Sequence, residues 1–167
     1  FFKNKEDFNY EKQLYVFKEN QFWSISEEIE FNKADIFFSF KVKPGSFSSS
    51  SGVRHYFFDK REDSNFTGES FFSCYDESGI FNFLCSNNEN DKVLLNIDIS
   101  SYSVGTVFDV SGSVKGTECV FGIGVSGNQV DSKTGNLSVR NDIIFENGTL
   151  VGINDKLNFD SHKISEN

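Results

Sequence analysis

Between residues 35 and 43 the sequence reads Asp35-Ile-Phe-Phe-Ser-Phe-Lys-Val-Lys43, and its polarity alternates residue by residue. Ile36, Phe38, Phe40 and Val42 share one side, while Ser39, Lys41 and Lys43 share the other. A period of two is that of a strand with one face in water. No segment sustains the 3.6-residue apolar period of a long helix. Clusters of Gly, Asn, Asp and Ser divide the rest of the chain into further candidate strands at 13–17, 27–31, 53–58, 69–75, 80–85, 92–99, 105–110, 118–125, 137–145 and 149–153. Turn clusters at intervals of about 8–14 residues belong to a sandwich or barrel rather than to βαβ units. The expected fold class is all-β: a two-sheet antiparallel β-sandwich.

Composition agrees. Phe supplies 21 residues against one Trp, five Tyr and no Met, so the core is built from stiff aromatic and β-branched side chains, which favour strands. A chain of 167 residues fits one domain able to bury roughly two-thirds of its unfolded surface without a metal or disulfide staple. We read residues 1–12 as a polar, aromatic N-terminal arm, 13–160 as the sandwich, and 161–167 as a polar tail.

The formal net charge of −9 disfavours nucleic acid and anionic membranes, since either demands a basic stripe. The longest apolar runs fall far short of the roughly 20 residues that span a bilayer, so no membrane insertion is expected. The chain opens on Phe1-Phe2 and holds no Met, which fits a processed or trimmed start. Sequons at Asn65, Asn136 and Asn147 sit in turn-like contexts, and together these features point to an extracellular or surface-exposed protein. About three sequons are expected by chance in such a composition, so they do not establish secretion.

The cysteines are Cys74, Cys85 and Cys119, an odd number that fits neither a disulfide framework nor paired zinc ligands. If the hairpin turning at Asp76-Glu77-Ser78-Gly79 pairs Tyr75 with Ile80, then Cys74 faces Phe81 and Cys85 lies roughly 13 Å farther along the same face. That is too far for a disulfide, so these two are expected to remain unbridged; a bond from Cys119 to one of them stays open, with buried free thiols the default for all three.

The order of motifs resembles a known superfamily. The strand ending Phe40-Lys-Val-Lys-Pro-Gly45, a Ser-rich loop, and Tyr56-Phe-Phe-Asp-Lys60 look like the opening of a laminin-G-like, concanavalin A-like jelly roll. The hairpin Ser70-Phe-Phe-Ser-Cys-Tyr to Phe81-Asn-Phe-Leu, the segment Cys119-Val-Phe-Gly-Ile-Gly-Val-Ser-Gly-Asn-Gln-Val130 and the late Thr149-Leu-Val-Gly-Ile-Asn154 follow in the family's order over about residues 25–160. The family's Trp before the central strand is missing here, where the only Trp is Trp23. A βγ-crystallin motif at Phe66-Thr-Gly-Glu-Ser70 is the weaker match, because its leading aromatic is displaced.

Glucanases of that superfamily carry E-x-D-x-x-E on one strand, two carboxylates about 5–5.5 Å apart. The nearest stretch here, Asn96-Ile-Asp-Ile-Ser100, keeps only Asp98, so the chain is expected not to be an enzyme. His55 and His162 are far apart in sequence and have no Cys or Asp pattern beside them, and no G-x-S-x-G elbow is present. No cofactor is expected apart from calcium, for which the resemblance and the acidic stretches 59–63, 87–91 and 128–131 nominate Asp91 and Asp131. Saccharide binding needs an exposed aromatic beside amides, and Trp23, Tyr56, Tyr75, Asn87 and Asn88 are the candidates. The resulting expectation is a non-enzymatic recognition or adhesion module that binds glycans or surface proteins through its loops. The alternative is a structural subunit of a filament, coat or capsid, self-assembling through its arm or edge strands.

Overall fold

The computed structural model describes residues 8–9, 14–15, 21–24, 28–31, 33–44, 54–61, 68–145 and 150–154, with burial defined for most side chains from residue 28 to 145. The described chain is all strand, turn and loop, arranged as a two-sheet antiparallel β-sandwich. Strands β1 (Phe8–Asn9) and β2 (Leu14–Tyr15) form one small ribbon, and β4 (Ile29–Glu30) with β13 (Ile144–Phe145) another. Sheet I has the order β12 (Asn128–Asn136), β11 (Glu118–Val125), β10 (Phe108–Lys115), β5 (Ile36–Val42). Sheet II has the order β3 (Gln21–Ser24), β14 (Leu150–Asn154), β6 (Arg54–Arg61), β7 (Ser70–Asp76), β8 (Ile80–Asn88), β9 (Asp91–Asp98). The chain runs through two meanders, β6–β9 and β10–β12, one in each sheet, and crosses between sheets from β3 to β5, after β5, after β9 and after β12.

Alternation in β5 is as the sequence requires. Ile36, Phe38, Phe40 and Val42 turn inward, and Phe37, Ser39 and Lys41 lie exposed. At the centre, the Phe38 ring meets Phe58 at 4.9 Å and Phe83 at 5.1 Å, both edge-on, with Phe71 and Phe121 each at 6.4 Å. Edge-to-face aromatic pairs at such separations add to the burial term because a ring's positive edge meets a neighbour's negative face. The ring sits over Gly112, its register partner on β10, and a side chain there would occupy the same space.

Strands β7 and β8 are buried on both faces. Phe71, Ser73 and Tyr75 point into the sandwich, and Phe72 and Cys74 on the opposite face are equally withdrawn from water. β9 alternates, with Val93, Leu95 and Ile97 buried and Lys92, Leu94, Asn96 and Asp98 exposed. Two charge pairs tie sheet II: Lys60 contacts Glu69, and Arg54 lies 3.5 Å from its register partner Asp76.

Three expectations are corrected. The β7–β8 hairpin pairs Asp76 with Ile80 and Tyr75 with Phe81, a register one residue away from that inferred. The cause is a three-residue loop, Glu77-Ser78-Gly79, in which Gly79 takes φ 96° and donates its N–H to the Asp76 carbonyl, while Asp76 Oδ1 accepts from Ser78 N–H. Cys74 therefore faces Asn82, and Cys85 faces Phe71 on the other side of the sheet. The expected strand at 105–110 begins only at Phe108, because Thr106 folds back through its N–H and hydroxyl onto the Ser103 carbonyl. The expected strand at 137–145 keeps only Ile144–Phe145, and the strand that completes sheet I is instead the polar Asn128–Asn136. The arm and tail boundaries fall largely outside the described residues.

Candidate functional site

Several residues nominated for binding have structural work. Tyr56 is 0 % exposed and Tyr75 4 % exposed, so neither ring can stack on a sugar; both are corrected to core residues. They sit on β6 and β7, strands packed on both faces, where a bulky aromatic contributes most when it is dry. Tyr75 is stacked on His55, and burial together with Glu77 and Asp76 pushes its hydroxyl pKa up. His55 is a strand residue, as expected, and its Nε2 lies 2.9 Å from Glu77. Trp23 belongs to β3 opposite Val151, but its side chain, like His162 and the sequons at Asn65 and Asn147, lies outside the described residues. Asn136 is exposed at the end of β12.

Asn87 and Asp91 form a clasp. Asp91 Oδ1 accepts the Ser138 N–H at 2.7 Å, its Oδ2 accepts from Asn87 Nδ2 at 2.7 Å, and the same amide reaches the Val139 carbonyl at 2.8 Å. These bonds tie the β8–β9 turn to the segment after β12, and they lower the Asp91 pKa, the Ser138 backbone bond most. Asn88 caps the same turn by accepting from Asn90 N–H. Asp131 stands 3.8 Å from Lys133. Among the described residues no three His, Cys, Asp or Glu side chains form a group able to hold a metal. Of the stretches taken for acidic loops, Asp59 is fully buried in β6 while 62 and 63 lie outside the described residues, 87–91 is the tight β8–β9 turn, and 128–131 opens β12. Asp98 is a solvent-face residue at the end of β9, its pKa lowered by bonds from Ser100.

The clasp carries a pH signature. A carboxyl whose folded pKa is depressed stabilises the fold fully above its unfolded value of about 3.9, and that contribution is lost as pH falls through the folded value. Asp91→Asn is expected to lower the thermal midpoint at neutral pH and to show progressively less difference from the wild type below pH of about 4. Thermal melts of both proteins across this range test it, and parallel midpoint curves would remove Asp91 from the clasp.

The open chemistry lies on the outer face of sheet I. Register places Ser39, Ser111, Gly122 and Ser132 in one row across all four strands, with Phe37, Ser113, Val120 and Thr134 in the next. Lys41, Asp109, Gly124 and Gln129 form the row on the other side, where Lys41 stands 3.3 Å from Asp109. Of these, Phe37, Ser39, Ser111, Ser113, Val120, Gly122, Gln129 and Ser132 line a shallow cleft of about 330 Å³. Gly122 keeps its floor open, since a side chain there would fill the gap between the Ser111 and Ser132 hydroxyls. Phe37 stands over one end, 71 % exposed. In the cleft, hydroxyls and the Gln129 amide donate and accept hydrogen bonds, and the ring offers an apolar plate beside them.

Sequence reasoning missed this cleft because it looked to the loops. One signal was available: Phe37 holds a polar-side position in the alternation of 35–43, so an aromatic was already assigned to the wet face. The row of small residues could not be read without the register of β10, β11 and β12. No protein-family model and no curated protein matches the chain.

Proposed function

We propose that this domain is a non-enzymatic recognition module, of the concanavalin A-like jelly-roll type and acting outside the cell, that binds a saccharide on the outer face of its four-stranded sheet. The observation that carries the reading is Phe37, a ring 71 % exposed at the edge of a cleft lined by Ser, Gly and Gln together with Val120 and Phe38. Sugars present apolar C–H faces and a rim of hydroxyls, so a stacking plate beside hydroxyl and amide partners matches both. The cleft's side chains hold a hydroxylated ligand without a facing pair of carboxylates to cleave it. The reading builds on the two-sheet antiparallel sandwich, whose two meanders lie in separate sheets.

The test is a glycan array with and without calcium, followed by titration of any bound saccharide against the wild type and Phe37→Ala. The expected result is a loss of roughly tenfold or more in affinity for the variant with an unchanged thermal midpoint, the size of effect a lost stacking contact gives. Equal affinity in both proteins, or no saccharide bound at all, overturns the reading. Light scattering on the same sample decides the alternative: a large assembly in place of a monomer would favour a structural subunit.

A further inference from the structure

Two of the three thiols meet across the sandwich. Cys85 lies on the inner face of sheet II beside Phe71 and Val93, and Cys119 lies on the inner face of sheet I beside Val114 and Gly135. Both belong to the same buried core. Face-to-face sheets normally stand about 10 Å apart, too far for a disulfide, whose Cα atoms are about 4.4–6.8 Å apart. Here the sheets converge. Gly135, in register with Cys119, lies directly on Val93, in register with Cys85, and a Cβ at Gly135 would stand 2.7 Å from Val93 Cγ1. The Cα atoms of β9 come within 8 Å of those of both β11 and β12. Cys74, on the other face of sheet II beside Asn82, takes no part.

A buried cation stands near the pair. Arg140 gives its guanidinium protons to the carbonyls of Ala34 and Asn141, and no carboxylate among the described residues pairs with it. The Cys85 thiol engages the Cys119 sulfur, which lowers the Cys119 pKa and raises that of Cys85; the Arg140 charge lowers the Cys119 pKa further. Cys74, by contrast, is pushed up to about 12 by burial. A thiolate rather than a thiol is the nucleophile in disulfide exchange.

We propose that Cys85 and Cys119 form a redox-active pair that closes into an inter-sheet disulfide, with Cys74 remaining free. In the presence of a small-molecule disulfide such as oxidised glutathione, the thiolate of one cysteine of the pair attacks one glutathione sulfur and expels the other half as thiolate. The second cysteine of the pair gives its proton to that thiolate and attacks the protein sulfur of the mixed disulfide, expelling the second glutathione. Two protein thiols become one disulfide, and one oxidised glutathione becomes two reduced ones. Because both sulfurs are buried, exchange takes place as the chain folds or opens.

The test is to refold the full chain in a glutathione redox buffer, unfold it in denaturant with N-ethylmaleimide, and map labels and cross-links by peptide mass spectrometry. The expected product carries one label, on Cys74, and a cross-linked peptide joining Cys85 to Cys119. Its thermal midpoint should lie above that of the reduced chain by roughly 5–15 °C. Three labelled cysteines, a cross-link that includes Cys74, or a cross-link that lowers the midpoint would overturn the proposal. Cys74→Ala, treated the same way, should carry no label, and labelling of either remaining cysteine would count equally against it.

Discussion

Replacing Phe38 with alanine is expected to destabilise the domain by about 3–5 kcal/mol, while the same change one residue earlier, at Phe37, should alter stability by no more than about 0.5 kcal/mol. The two side chains are adjacent in β5 and point to opposite faces. Phe38 is in contact with the rings of Phe40, Phe58, Phe71, Phe83 and Phe121, which belong to both sheets. Removing it leaves a cavity at the point where the sheets interdigitate, and rings fixed by one another cannot collapse to fill it. Phe37 touches solvent over most of its surface, so its loss removes little burial. Total stability of such domains is about 5–15 kcal/mol, so Phe38→Ala forfeits a large share of it. Urea unfolding of the two variants measures both. Comparable losses at the two positions would mean that the Phe37 ring is covered, and with it the saccharide site would fall.

Much of this architecture was legible because a strand writes its two faces into the chain. The alternation at 35–43 identified β5 and its inner residues, and 118–125 was bounded to the residue at both ends. What failed did so for physical reasons. Strand β12, Asn-Gln-Val-Asp-Ser-Lys-Thr-Gly-Asn, has one apolar side chain, because an edge strand whose side chains are mostly exposed needs no apolar face. Its pairing with β11 comes from backbone hydrogen bonds, which composition does not report. The hairpin at 76–80 was misread because the turn's loop length, set by the left-handed Gly79, decides which residues face one another.

The binding residues were harder still. Tyr56 and Tyr75 were nominated because saccharide binding needs an exposed aromatic beside amides. Sheet II is dry on both sides at β7 and β8, so that inference fails there. Asn87 and Asp91 were chosen as ligand and metal groups, and they hold Ser138 and Val139 in place instead. A polar side chain at a turn serves the backbone first, since an unmet buried donor or acceptor costs about 1–3 kcal/mol. The cleft on sheet I arises where that demand is already met by strand pairing, which leaves its hydroxyls uncommitted to the backbone.

Gly112→Ala supplies the sharpest test of the core. In a strand interior the exchange of glycine for alanine alone would stabilise by about 0.5–1 kcal/mol, because glycine has more backbone freedom to lose. Here a Cβ on Gly112 would overlap three carbons of the Phe38 ring, the farthest of them at 3.0 Å. The ring cannot swing away, hemmed in by Phe58 and Phe83 on the side of sheet II. Overpacking of this kind costs about 1–3 kcal/mol or more, so the clash outweighs the propensity gain and the variant is expected to be less stable than the wild type. In a chain that already carries Phe38→Ala, the space is empty and the sign should reverse, Gly112→Ala becoming neutral or stabilising. A double-mutant cycle by urea unfolding therefore predicts a coupling of roughly 1.5 kcal/mol or more between the two positions. Phe38→Leu can stand in where the alanine variant unfolds too readily to measure. If the two changes simply add, the Phe38 ring does not rest on Gly112, and the packing that turns Phe37 outward onto the open face would have to be redrawn.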